Sequence, residues 1–146
     1  CPASVASFAY SSGTRKDGEV TLRSQMVSDR YGIDETAIRS VAGKGTPTDQ
    51  AIQVQRNHLS SAPANSKNLV VITDGAAYQR KEARLQVEYA LAEGTNVLGV
   101  CYNKKNDPML SALMKEQFGA ASYIEVQNLS EIPAAVEAFV SSKVNR

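Results

Sequence analysis

The 146-residue sequence has few of the residues from which common metal and catalytic sites are built. It contains one histidine, His58, and two cysteines, Cys1 and Cys101, with no C-x-x-C pair. Zinc is held in proteins mainly by cysteine and histidine, so the usual zinc sites are excluded. A histidine-based catalytic set is excluded as well. His58 lies in the polar stretch "QRNHLSS", and we expect it to be a solvated surface residue.

Several motifs are also missing. There is no G-x-S-x-G nucleophile elbow and no glycine-rich loop that would cradle a phosphate. No apolar run approaches the roughly 20 residues that span a bilayer, and no charged start followed by an apolar stretch resembles a signal peptide. The 16 basic and 15 acidic residues are interspersed and give a net charge of +1. We therefore expect a soluble protein without a nucleic-acid or membrane partner.

What is present is an ordinary globular composition, with 42% hydrophobic and 21% charged residues. A chain of this length can bury a core and predicts a single domain over residues 1–146. Because such a chain needs no disulfide and Cys101 lies in an apolar stretch, we expect reduced thiols rather than a Cys1–Cys101 bridge. The chain begins at Cys1 rather than at a methionine, and we expect residues upstream of it.

Hydrophobic periodicity alternates between strand and helix patterns along the chain. Two strand patterns near the start are joined by a polar, glycine-containing turn, which predicts an antiparallel hairpin. The predicted strands are residues 4–10, 19–24, 68–75, 96–102 and 122–126. The predicted helices are residues 34–43, about 48–60, 80–94, 110–118 and a C-terminal helix capped by Ser130.

The order of these elements predicts an α/β fold: an open, mostly parallel, Rossmann-like sheet with helices on both faces and one antiparallel edge hairpin. The strand over residues 68–75 is apolar on both alternating faces, which is typical of a strand at the centre of such a sheet. The strand over residues 122–126 is more polar, and we expect it near an edge.

Functional groups of open α/β sheets lie beyond the carboxyl ends of the strands. Asp74 occupies that position in "LVVITDG", where a carboxylate could hold a metal ion. Its alternative role is to cap the next helix or to form a turn with Gly75. The loop "GKGTPTDQ" adds the hydroxyl oxygens of Thr46 and Thr48, for which a plain helix N-cap is the alternative. When both loops are considered together, a metal site is as good an interpretation as helix capping or turn formation.

In these two loops the sequence resembles the von Willebrand factor A-type (VWA) domains, which have a hydrophobic strand ending in T-D-G after a threonine loop like "GKGTPTDQAI". The segments "ALAEGTNVLGVCYN" and "FGAASYIEVQNLSEIPAAVEAFV" look most like the intracellular branch. That branch includes cobalt and magnesium chelatase subunits and nitric oxide reductase activation proteins. The resemblance covers essentially the whole chain and implies a cytoplasmic protein.

The resemblance implies a metal-ion-dependent adhesion site (MIDAS) for Mg²⁺ or Mn²⁺. Thr46 would be its threonine ligand, with Thr48 as the fallback, and Asp74 its carboxylate. A free coordination position would then accept a carboxylate from a partner protein. In the intracellular branch that partner is commonly a ring-forming AAA+ ATPase. The resemblance thus predicts a binding module and not an enzyme.

The family's main metal ligands come from a D-x-S-x-S motif at the end of its first strand, and this sequence has no such motif. Residues 4–24 match the family's second and third strands instead. We expect the first strand and helix to be supplied upstream or by another chain, and metal to bind only if they are. Two other functions remain open: an α/β hydrolase or phosphotransfer enzyme that uses Asp74, and a scaffold domain with a vestigial metal site.

Overall fold

The computed structural model describes residues 7–14, 20–29, 32–33, 47–62, 66–77 and 79–144, the first three ranges as backbone only. The chain divides into two compact units, Cys1–Pro47 and Thr48–Arg146. The helix predicted over residues 34–43 lies outside the described residues, as does Thr46.

The first unit contains an antiparallel sheet of three strands in the order β1-β2-β3. They are β1, Ser7–Thr14; β2, Val20–Asp29; and β3, Gly32–Ile33. β1 and β2 pair from Thr14 opposite Val20 to Ser7 opposite Ser28. The antiparallel pairing is as predicted, but these strands form a sheet of their own in the described residues. Their predicted place at the edge of the parallel sheet is not seen among the described residues. Strand periodicity carries no information on which sheet a strand joins.

The second unit is an α/β structure whose three parallel strands follow the order β4-β5-β6. The strands are β4, Lys67–Thr73; β5, Thr95–Tyr102; and β6, Tyr123–Val126. The helices are α1, Thr48–Ser60; α2, Arg80–Ala92; α3, Pro108–Phe118; and α4, Ile132–Val144. Short 3₁₀ turns occupy Ala120–Ser122 and Leu129–Glu131. The predicted α/β class and parallel sheet are confirmed, and β6 lies at the predicted edge.

Local sequence explains where the helices begin and end. The side chain of Asp107 accepts a hydrogen bond from the Met109 N–H at 3.0 Å and caps α3. Gly94 follows α2 with φ of +87°, a conformation that glycine adopts without steric cost. The predicted Ser130 cap of the last helix is wrong. Ser130 lies inside the 3₁₀ turn, and the Glu131 carboxylate satisfies the backbone N–H groups that precede that turn.

Helices cover both faces of the parallel sheet. On one face α2 packs between α1 and α3, and the ring of Phe118 lies against Gly99 at the middle of β5. On the other face, residues of α4 pack on a cluster of strand residues. The cluster contains Leu98, Val100 and Val126, with Val70, Tyr102, Ile124, Ile132 and Phe139 around it. The sheet is therefore the middle layer of the second unit.

β4 does not occupy the predicted central position. β5 is the middle strand, and β4 ends the described sheet. On the face that α4 covers, Val70 is half-buried and Ile72 is 48% exposed. The apolar sequence of β4 allows both faces of that strand to be buried. On this face, however, the covering helix is α4, and it packs over β5 and β6. On α2 the residues Ala83, Val87 and Ala90 are buried, whereas Leu91 is exposed.

Arg56 joins α1 to α2 through three contacts. Its Nη1 donates to Gln86 Oε1 at 2.8 Å, its Nε lies 3.3 Å from Glu93 Oε1, and its guanidinium lies 5.1 Å from the centre of the Tyr89 ring. The Arg56 side chain is mostly buried, so these contacts are only partly screened by water.

We expect Arg56→Ala to lower the free energy of unfolding by about 1–2 kcal/mol, because the hydrogen bond, the ion pair and the ring contact are lost together. Urea denaturation followed by circular dichroism measures the change. Lys105→Ala is the matched control: it removes the same charge from an exposed loop and should shift the free energy of unfolding by less than about 0.5 kcal/mol. Equal effects of the two variants would contradict the prediction.

Candidate functional site

Asp74 lies on the loop between β4 and α2, at the carboxyl end of its strand, and its side chain is exposed. The turn is closed by Thr73, whose hydroxyl donates to the Gly75 carbonyl at 3.1 Å and accepts from the Gly75 N–H at 3.3 Å. Thr73 is itself buried, so this turn is anchored in the sheet. Asp74 is thereby held at the tip of the turn.

Neither local alternative for Asp74 is seen. The N-cap of α2 is Gln79, and no side chain makes a capping hydrogen bond there. The turn with Gly75 is made by Thr73 rather than by the aspartate. Within the described part of the chain, the Asp74 carboxylate has no hydrogen-bond or ion-pair partner. It is therefore available to a ligand from solvent.

The far end of the same loop is held from α3. The Ala77 N–H donates to Gln117 Oε1 at 2.7 Å, and both residues are buried. Gln117 is the residue before Phe118, whose ring packs on Gly99 in the core. The loop over residues 74–77 thus has one attachment in β4 and a second in α3.

In the described structure, the two threonines predicted as ligands beside Asp74 are not seen at the surface as Asp74 is. Thr46 lies outside the described residues. Thr48 is the first residue of α1 and is 0% exposed. As placed, its hydroxyl offers no oxygen to an ion at the surface, so it fits the ligand role poorly. Of the predicted ligands, Asp74 is the one that faces solvent in the described structure.

A second polar cluster joins the end of β5, α3 and β6, and it was not predicted from the sequence. We call it the Glu125 network: Asn103, Ser111, Tyr123 and Glu125. Ser111 Oγ donates to Glu125 Oε2 at 2.7 Å, Tyr123 donates to the same oxygen at 3.1 Å, and Asn103 Nδ2 donates to Oε1. Both carboxylate oxygens are therefore engaged.

The network ties three elements together. Asn103 follows β5 directly, accepts from the Asp107 N–H at 2.9 Å and donates to the Asp107 carbonyl at 3.0 Å, which closes the loop before α3. Ser111 lies on α3, whereas Tyr123 and Glu125 lie on β6. Two signals in the sequence could have indicated this network: an asparagine at the carboxyl end of β5, and an acid between the apolar residues of β6.

The hydrogen bond from Ser111 lowers the pKa of Glu125, and the bonds from Asn103 and Tyr123 act in the same direction. Burial is the main cause that raises the pKa of Tyr123, and its hydrogen bond to Glu125 adds to it. The network therefore holds an ionised carboxylate and a neutral phenol.

Cys101 is a free and fully buried thiol, while Cys1 lies outside the described residues. Burial is the largest cause that raises the pKa of Cys101 to about 11, followed by the negative charge of Glu125, with a smaller contribution from Asp74. Because the thiolate is the reactive form, this thiol is inert near neutral pH. Both carboxylates lie within electrostatic reach of the same thiol at this side of the sheet.

The described residues offer few ligands for a metal ion. No three histidine, cysteine, aspartate or glutamate residues among them are arranged to hold a metal. An exposed carboxylate such as Asp74 fits a hard cation that keeps most of its water, as Mg²⁺ does. Asp74 can therefore supply one ligand, and further ligands must come from outside the described residues.

No helix in the described ranges is both long and apolar enough to cross a membrane. Comparison of the chain with protein-family models, with curated proteins and with solved structures found no match.

Proposed function

We propose that this chain is a divalent-metal-dependent protein–protein interaction module that uses Asp74 at the carboxyl end of β4. The proposal rests on the exposure of that carboxylate, its lack of a partner in the described structure and the attachment of its loop. The Asp74 side chain is exposed, it has no partner among the described residues, and its loop is attached at both ends, through Thr73 and through Ala77. A polar group held in this way on a rigid element is suited to binding.

The proposed ligands are Asp74 and Thr46, with Thr48 a weaker candidate because it is buried. The remaining ligands would be supplied from outside the described residues, from upstream sequence or another chain. The ion would be Mg²⁺ or Mn²⁺, and when bound it would supply a positive centre with a position open to a carboxylate of the partner. By the resemblance to the intracellular VWA domains, the partner is an AAA+ ATPase and the location is cytoplasmic.

Two nucleophilic side chains are unsuited to catalysis, which favours a binding role. The Cys101 thiol is buried with its pKa raised to about 11, and the Ser111 hydroxyl donates a hydrogen bond to Glu125. We therefore propose a non-catalytic module, with an enzyme that uses Asp74 itself as the alternative.

Asp74→Asn tests this proposal because it removes the charge and keeps the size of the side chain. In the full chain with its upstream residues, Mn²⁺ affinity measured by calorimetry should fall roughly tenfold or more, because a carboxylate ligand is lost. The thermal midpoint should stay within about 2 °C, since the side chain makes no contact that stabilises the fold. Mg²⁺-dependent binding of the AAA+ partner should be lost in the variant and in EDTA.

Asp107→Asn is the matched control. It removes one carboxylate from the loop that follows the neighbouring strand, and asparagine can still cap α3. Its Mn²⁺ affinity should equal that of the wild type. Partner binding that survives EDTA would contradict the proposal. Absence of Mn²⁺ binding to the wild type would favour a scaffold with a vestigial site, and Asp74-dependent turnover of a phosphoester or ester would favour an enzyme.

A further inference from the structure

Gln117 has a buried amide with only one of its two polar atoms satisfied. The residue is 0% exposed, and its Oε1 accepts the Ala77 N–H at 2.7 Å. Its Nε2 is buried as well and has no hydrogen-bond partner among the residues that the structure describes. Most buried side-chain polar atoms in proteins have a partner, so an unpaired donor at this place requires an explanation.

The orientation of the amide is fixed by its neighbour. Rotating the amide by half a turn would place the Nε2 hydrogens against the Ala77 N–H, and two donors would then face each other. The oxygen must therefore point to Ala77, and the nitrogen is left without an acceptor. A methionine would fill much the same volume without burying an unpaired donor. The hydrogen bond that the Gln117 oxygen accepts from the Ala77 N–H therefore explains why this position is a glutamine.

That oxygen holds the loop that carries Asp74. Ala77 is three positions after Asp74, and Thr73 holds the opposite end of the same loop. Gln117 lies on a helix fixed in the core by two fully buried neighbours, Met114 and Phe118. The bond to Ala77 therefore transmits a rigid position from α3 to the loop.

We propose that Gln117 is the positioning residue of the binding site, acting on Asp74 through the Ala77 backbone. This inference rests on the proposed function for its effect on metal affinity. Its effect on the loop does not depend on metal.

The experiment compares Gln117→Met with the wild-type full chain, first without metal. Hydrogen exchange of the Ala77 amide should become roughly tenfold faster, because this amide loses its acceptor. The NMR signals of the Asp74 amide and side-chain carboxyl should shift or broaden. Exchange in the middle of α3 should be unchanged.

The second readout is Mn²⁺ binding, measured through the relaxation of nuclei around Asp74. Gln117→Met should weaken binding by roughly tenfold, the size of effect seen when a residue that orients a ligand is lost. Gln117→Glu has the same size and retains an oxygen for Ala77, and it should restore affinity to within about threefold of the wild type. Phe139→Leu is the control: it disturbs the packing of α4 on the other face of the sheet but keeps Gln117 and α3, and its Mn²⁺ affinity should be unchanged.

Three results would overturn the inference: unchanged exchange at Ala77 in Gln117→Met, faster exchange with unaltered signals from Asp74, or an equal loss of Mn²⁺ affinity in Phe139→Leu. If the wild type binds no Mn²⁺, the proposed function fails by itself. The metal-free exchange and the Asp74 signals then still decide whether Gln117 positions the loop.

Discussion

Gly99→Ala is expected to lower the free energy of unfolding by about 2–3 kcal/mol, the upper range for overpacking a well-packed core. A Cβ at this position would lie 2.5 Å from two carbons of the Phe118 ring. Those ring atoms are near the root of the side chain and are buried between α3 and β5, so they cannot move aside without displacing the helix. Urea denaturation of the variant and the wild type measures the change.

A double-mutant cycle identifies the cause. Phe118→Ala removes all of the ring atoms that would meet the new Cβ. Alone it should cost about 3–4 kcal/mol, and in its presence the cost of Gly99→Ala should fall by more than half. Gly94→Ala serves as the comparison, because Gly94 has open space around it but a φ of +87°. Its cost of about 1 kcal/mol should not depend on residue 118. Additive effects of Gly99→Ala and Phe118→Ala would show that the ring contact does not limit position 99.

The second large effect is expected at Glu125. Glu125→Gln should destabilise the protein by about 2 kcal/mol at pH 7, because an amide nitrogen replaces one of the oxygens that accept from Ser111, Tyr123 and Asn103. Whichever way the amide is turned, its nitrogen either faces the Asn103 donor or replaces the charged acceptor of the two hydroxyls. Urea unfolding curves at neutral pH measure this loss.

The pH dependence has a definite sign. The pKa of Glu125 is lowered in the folded state from its ordinary value of 4.5, so its contribution is fully present above that value. The contribution is lost as the pH falls through the lowered pKa. The difference between wild type and Glu125→Gln should therefore shrink below about pH 4. Glu137→Gln, an exposed acid on α4, should show no such difference, and a gap that persists at low pH would contradict this assignment.

Most of the second unit could be predicted from its sequence, because its signals are local. The apolar runs of β4 and β5, the stripe of α2 and the glycine at position 94 each indicate an element and its end. The position of each strand in the sheet was harder to predict from the sequence. β4 and β5 are both apolar on two faces, and only the packing of α4 over β5 and β6 distinguishes the central strand from the outer one.

The candidate site was predictable in part for the same reason. In the sequence Asp74 is recognised as an acidic residue at the end of a clearly apolar strand. The structure places it on an exposed turn. The attachment of that loop to α3 could not be predicted, because Gln117 is 40 positions from Ala77 along the chain. The same holds for the bond in the Glu125 network between Ser111 and Glu125, which are 14 positions apart. Such pairs depend on how α3 crosses the sheet, which no local pattern encodes.

The outer position of β4 has a consequence for the behaviour of the protein at high concentration. The last strand of an open sheet presents a row of unpaired backbone donors and acceptors, and many proteins guard such a strand with charges, prolines or bulges. β4 is seven residues long, contains no proline, and has one charged residue, Lys67, at its start. Ile72 adds an exposed apolar side chain. In the described sheet β4 therefore has an edge open to pairing with another strand, and we expect concentrated protein to self-associate through it.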